Sequence, residues 1–209
     1  MNNLFLKPSD PILTKKAEEI PQDQIDSENT RESIKTMLDV AYGQQQDKKK
    51  PIMVGLAAPQ IGISKRIILV DIKANGKGKV GDLRIYINPK ITWPSKEKEE
   101  WYEGCYSTGN ICGIVSRPAS IKIHAFTSSF PHRKWECSLK KYHGYTARIF
   151  QHEIDHLNGK VFVDYIKDPD RLHWVSKKEF AFYRNQEAWR NWPRKCSLKK
   201  WRQIKSKKQ

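Results

Sequence analysis

A chain of 209 residues with 38% hydrophobic and 11% aromatic residues can bury one ordinary core. No apolar run approaches the roughly 20 residues that cross a bilayer, which excludes a membrane-spanning helix, and four cysteines (Cys105, Cys112, Cys137, Cys196) are too sparse for a disulfide framework. The net charge is +16, of which +11 falls in residues 171–209, so a polyanionic partner (nucleic acid or an anionic surface) is expected for the tail and not for the body.

Near the start, no basic segment precedes an apolar run, and Asp10, Glu18 and Glu19 come early. Neither a secretory nor a transit segment is expected, and a reducing, bacterial-type cytoplasm is the expected compartment. Prolines at 11 and 21 bound a stretch that predicts an extended lead-in. Ser27 and Thr30, followed by Ile34, Met37, Leu38 and Ala41, predict an amphipathic helix that stops at Gly43. Residues 44–50 are polar and read as a surface loop. The β-branched runs at 66–72 and 84–88 predict strands, with Asn75, Gly76 and Gly78 turning the chain between them. At 120–126, Ile121, Ile123 and Ala125 alternate with Lys122 and His124, the period of a half-buried strand, and 134–139 is its expected hairpin partner. Helices are expected over 145–157 and near 177–191. Strands first and helices later predict an α+β body over 1–170 with a basic helical extension over 171–209.

The segment His152-Glu153-Ile154-Asp155-His156 carries the most chemistry. Histidines four apart lie about 40° from each other around a helix, close enough to share one metal ion. Ala147, Phe150, Ile154 and Leu157 make a stripe roughly opposite, suited to the core, while Tyr145 and Ile149 share the histidine side. Glu153 stands where a general base could reach a water on the metal. Two satisfied surface histidines are the competing reading of the same helix. A third ligand is needed, and Phe162 occupies the place where a metzincin protease has histidine. Glu179, as in a zincin protease, and Cys105, after Glu103-Gly104, both remain open; a buried small hydrophobe is the plain alternative for Cys105.

The segments GLAAPQ (55–60), EGCYS (103–107) and QHEIDH (151–156), in that order, closely resemble the three signature motifs of the peptide deformylase family. Taken alone, the first could be no more than a tight helix start. The resemblance runs over about 12–166. It implies an α+β fold in which antiparallel strands surround a central HExxH helix. It implies removal of the formyl group from the N-terminal formylmethionine of newly made polypeptides, with release of formate. The metal ligands would be Cys105, His152 and His156; the ion would be Fe²⁺, with Zn²⁺, Ni²⁺ or Co²⁺ as substitutes. Water on the metal would attack the formyl carbon with Glu153 as general acid/base, while Gln60 and the Tyr106 backbone N–H hold the oxyanion. Val54, Gly55, Trp101, Gly104, Tyr145 and Ile149 would bind the substrate, with Val54, Trp101, Tyr145 and Ile149 forming an apolar methionine pocket.

Three positions depart from the family pattern: Met53 for a glycine, Tyr106 for a common leucine and Cys112 for an arginine found in many members. Deformylases act on chains leaving the ribosome, so the resemblance supplies ribosomal RNA as the tail's polyanion. In that tail Phe180, Tyr183 and Trp189 alternate with Lys177, Lys178, Arg184 and Arg190. Leu198, Trp201 and Ile204, three apart, either pack on the body or leave Trp201 for base stacking.

Overall fold

The computed structural model describes residues 4–43, 51–129 and 135–206. The loop expected over 44–50 and Lys134, the first residue of the expected hairpin partner, lie outside them.

The lead-in begins with a single helical turn, α1 (Pro11–Thr14), and not with extended chain. Its cause is local: Asp10 accepts the Ile12 N–H at 2.9 Å, and Pro11 takes the first helical position, where no N–H is missed. Helix α2 (Glu28–Tyr42) follows the predicted pattern. Ser27 caps it by accepting the Thr30 N–H, Ile34, Met37 and Ala41 are buried, and Gly43 ends it at φ +62°.

The strands are β1 (Gly55–Ala57), β2 (Ile67–Asp71), β3 (Leu83–Pro94), β4 (Lys98–Gly104), β5 (Ile111–Pro118), β6 (Ser120–Ser129), β7 (Glu136–His143) and β8 (Leu172–Trp174). They form two antiparallel sheets, one ordered β1-β2-β3-β6-β7 and one ordered β4-β5-β8. The predicted 84–88 strand is thus the first half of β3, which continues past Pro89. An irregularity between Ile87 and Lys90 makes room for the proline, and Asn88 there has φ +51° and a side chain bonded to both backbone groups of Ile20. Strand β2 is buried on both faces. Ile67 and Leu69 pack toward α2 with Ile85 and Ile87, while Ile68 and Val70 face Tyr86 and the next helix.

That helix is α3 (Gly144–Leu157), and its stripe of Ala147, Phe150, Ile154 and Leu157 is buried against Ile68, Val70, Ile121 and Ile123. Its opposite side, bearing the histidines, meets the small sheet. The segment after residue 171 wraps that small sheet. It supplies β8, then α4 (Phe180–Tyr183), α5 (Gln186–Arg190) and α6 (Leu198–Ser206). The single helix expected near 177–191 is therefore two short ones, broken at Asn185, whose side chain caps the second by accepting the Glu187 N–H at 2.9 Å. On one face of β5, Ile114 and Cys112 pack with Tyr183, Trp189 and Trp192; on the other, Ile111 and Val115 pack with Phe162, Cys196 and Trp201. Among the described residues no helix is long and apolar enough to cross a membrane.

Candidate active site

Where α3 meets β4 and the turn after it, Cys105, His152 and His156 bring one ligand atom each within 4.8 Å of one another. This is the one cluster of its kind among the described residues. Cys105 Sγ lies 3.3 Å from His156 Nε2. Because His152 gives its Nδ1 to the Glu103 carboxylate at 2.9 Å, its Nε2 is left for a ligand. Burial alone would raise the Cys105 thiol, but the two imidazoles outweigh it and hold the thiol well below its ordinary value. A buried thiolate flanked by two imidazole nitrogens fits a tetrahedral divalent cation with one open position. His156 is wholly buried, and its Nδ1 has no partner among the described residues.

Glu103 is the hub that holds this geometry. Two residues before Cys105 on β4, it receives Arg117 through Nε at 2.5 Å and a second nitrogen at 2.9 Å, and Arg148 at 2.7 Å. Arg117 also reaches Asp155 at 2.8 Å, and Tyr165 donates to the same carboxylate at 2.7 Å. Burial would raise the Glu103 carboxyl, yet Arg117 and His152 more than offset it and keep it far below the carboxylate range. Removing one member would strand a buried charge, at a cost of about 3–5 kcal/mol.

Gln60 sits on a tight turn (Ala58–Ile61) and is almost fully buried. Its Oε1 accepts the Ala57 N–H at 2.8 Å, which fixes the amide so that Nε2 donates toward Cys105 Sγ at 3.2 Å. Tyr106 opens the short turn Tyr106–Thr108, where Thr108 N–H returns to the Cys105 carbonyl at 3.0 Å. The first amide of such a turn has no partner within it and can serve a ligand. The Tyr106 ring is exposed and stacks on Phe5 at 4.8 Å, so only its backbone belongs to the site.

Glu153 is buried, with Oε2 lacking a partner among the described residues. Burial pushes its carboxyl up to about 7, against the pull of the two histidines. It lies so near Gly55 that a β-carbon there would stand 2.4 Å from Oε1 and 2.7 Å from Ile149. Glycine is required at 55 for this close approach. Strand β1 is an edge strand, paired only with β2, so its free side can take an extended peptide as a further strand.

The cleft above the cluster has a volume of about 310 Å³. Val54, Gly55, Gly104, Tyr145 and Ile149 line it together with Gln60, Cys105, His152 and Glu153. Trp101 does not. Its ring lies behind Tyr145, at 6.5 Å, and beside Trp189, at 6.4 Å, so the pocket wall expected of it belongs to its neighbour Tyr102. Glu179 is also elsewhere: Ser176 and Arg194 hold it, and it borders a separate surface groove with Phe182 and Trp192. Glu103 and Arg148 carried a readable signal, one at i−2 from Cys105 on a strand and the other at i−4 from His152 on a helix. Phe180 and Arg184, which also line the cleft, carried none.

The sequence matches the polypeptide deformylase family model over residues 3–172, and the chain belongs to that family. The peptide deformylase of Chlorobaculum parvum is 37% identical over 163 residues, spanning 78% of this chain and 79% of that protein. That of Natranaerobius thermophilus is 39% identical over 155 residues, spanning 74% of this chain and 86% of its relative. A class I type b peptide deformylase from Acinetobacter baumannii, in a crystal structure with bound Met-Ala-Ser, superposes with a TM-score of 0.64 at 30% identity, covering 78% of this chain and 96% of that one. The Plasmodium falciparum peptide deformylase in complex with an inhibitor gives 0.62 at 35% identity, over 78% and 89% of the two chains.

Proposed function

We propose that this deformylase works with one divalent cation held by Cys105, His152 and His156, and that its substrates are formylmethionyl nascent chains in a bacterial-type cytoplasm. The juxtaposition of Glu153, Gln60 Nε2 and the Cys105–His152–His156 cluster in one cleft carries the reading. A divalent ion there supplies a water acidic enough to ionise near neutral pH. One thiolate and two imidazoles accept Fe²⁺, Zn²⁺, Ni²⁺ or Co²⁺, and Fe²⁺ is the ion we assign first by family resemblance.

Glu153 takes the proton of the attacking water and delivers it to the departing amine. Its burial suits this double task, because a carboxyl raised toward neutrality both accepts and releases a proton. Gln60 Nε2 and the Tyr106 N–H receive the formyl oxygen as it gains charge, and both are fixed beforehand by backbone contacts. The peptide lies along the free edge of β1 at Gly55, and the methionine side chain enters the pocket of Val54, Tyr145, Ile149 and Tyr102. The Met-Ala-Ser held by the Acinetobacter neighbour is of the chemistry this pocket requires. Exposed cations of the C-terminal segment contact ribosomal RNA.

The test is formate release from formyl-Met-Ala-Ser, with Fe²⁺ supplied and oxygen excluded. Equal turnover of formyl-Asp peptides would contradict the apolar pocket. An HExxH protease using Glu179 is disfavoured by the position of that residue, which is paired with Arg194 outside the cleft.

A further inference from the structure

The family match ends at residue 172, yet the cleft does not close without residues beyond it. The ring of Phe180 lies over Gly104, 3.5 Å from where a β-carbon would stand, and so directly beside the Cys105 backbone. The same ring packs edge-on against Tyr102 at 5.9 Å and carries the Arg184 guanidinium above it at 5.2 Å. Gly104, Phe180 and Arg184 thus form a stack that leads from the reacting end of the cleft to its rim.

The charges along this path are one-sided. Of the acids lining the cleft, Glu103 is consumed by Arg117, Arg148 and His152, and Glu153 is buried below the peptide path. Among the described residues, the exposed ions on the lining are both cations: Lys79, from the turn between β2 and β3, and Arg184, from the end of α4. Among the described residues, the ion pairs of the C-terminal segment are Arg171 with Glu100 and Asp168, Arg194 with Glu179, and Lys205 with Asp164, and Arg184 joins none of them. The Tyr102 hydroxyl meets one of its donors and leaves the others for a ligand. The guanidinium's fork of N–H donors matches the two oxygens of a carboxylate.

We propose that Arg184, seated on Phe180 and seconded by Lys79, is a specificity-determining residue that favours acidic side chains in the first residues after the formylated one. This rests on the deformylase reading of the cleft. In that reading the substrate's N-terminal residue is anchored at the metal cluster, and the chain that follows it leaves by the side of the cleft that Phe180 and Arg184 line. There an acidic side chain gains a partner, and a basic one meets two like charges.

The experiment compares kcat/KM of the metal-loaded, full-length enzyme on formyl-Met-Xaa-Xaa amides with Xaa as Glu, Gln or Lys. The unmodified enzyme should prefer Glu over Lys by about fivefold, the scale of an exposed ion pair, mainly through KM. The preference should shrink in high salt, where exposed charges are screened. Arg184→Gln should reduce the preference, and Arg184→Glu combined with Lys79→Gln should invert it, an inversion that misfolding cannot produce. Equal rates on the three peptides, or a preference unchanged in both variants, overturns the inference while the Gln peptide still reports deformylation. Hydrolysis of none of the three overturns the deformylase reading and this inference with it.

Discussion

Cys105 and Glu153 both lie in the cleft, yet their removal should have different consequences, because the proposed function makes one a metal ligand and the other a proton carrier. Cys105→Ala deletes one of three protein ligands, so metal measured after desalting should fall far below one equivalent and activity should vanish. Glu179→Ala, whose carboxylate is held by Ser176 and Arg194 outside the cleft, should leave both intact. Stoichiometric metal in the Cys105 variant would remove the thiol from the ligand set. Glu153→Gln keeps the shape of the side chain but cannot carry the proton. Metal content should persist while kcat falls by at least about 10²-fold, the scale of general acid–base catalysis. Near-normal turnover would assign the proton to another group. Glu103 orients His152 while balanced by two buried arginines, so that imidazole is held in place by the protein itself.

Within the C-terminal segment, β8 and α4 are joined by a hydrogen bond with a definite pH dependence. His173 on β8 is fully buried, with Nδ1 2.7 Å from the Tyr183 hydroxyl and Nε2 2.9 Å from the Asp170 carbonyl; Lys195 Nζ stands 3.4 Å away. Burial, aided by Lys195, holds its imidazole below the ordinary value, against the opposing pull of the Asp170 carbonyl. A histidine with a depressed folded pKa binds its proton more readily in the unfolded chain. Its packing is therefore intact above about 6.5, the unfolded value, and is weakened as pH falls from there toward the folded pKa. Hydrogen-exchange protection over 172–192, taken relative to the intrinsic exchange rate at each pH, should fall between pH 7.5 and 5.5, with α3 protected throughout, and His173→Gln should lose that dependence. Uniform protection across that range would place the acid sensitivity elsewhere. The same elements mark the limit of what the sequence discloses. Helices α2 and α3 were legible because each has one apolar stripe and a recognisable end, and β2 and β6 because branched or alternating residues mark them. Strand β4 was not, since its first half, Lys98 to Glu100, is exposed and charged. Nor was β8, three residues whose partners on β5 lie about 60 positions earlier. Of the clustered triad, His152 and His156 were readable from their spacing on one helix, whereas Cys105 came only with the resemblance of EGCYS to a family motif. Phe180 and Arg184 were not readable, because their place at the cleft follows only from the segment wrapping the small sheet.

For the molecule as a whole, that wrapping decides how the excess positive charge is displayed. Tyr183, Trp189 and Trp201 are buried, so the aromatics that alternate with basic residues pack inward and the cations remain outside. Trp201 is thus an anchor, sharing a core cluster with Phe162, Cys196 and Cys105 itself. Truncating the chain at 194 would strip that cluster from beside a metal ligand, and lost activity would then say nothing about RNA. Charge reversal separates the two effects. Lys199, Lys200 and Arg202 are exposed on α6 and take no part in an ion pair among the described residues, unlike Lys205, which holds Asp164 at 2.9 Å. The triple variant Lys199→Glu, Lys200→Glu, Arg202→Glu should keep its fold and its rate on a formylated tripeptide. If these cations neutralise ribosomal phosphates, each phosphate left without its cation should lower the slope of log K against log salt by up to about 0.9. Sedimentation with ribosomes at several salt concentrations gives both affinity and slope. Weaker binding with a shallower slope assigns the interface to α6, whereas unchanged binding at low salt would direct the search to the basic residues of the body.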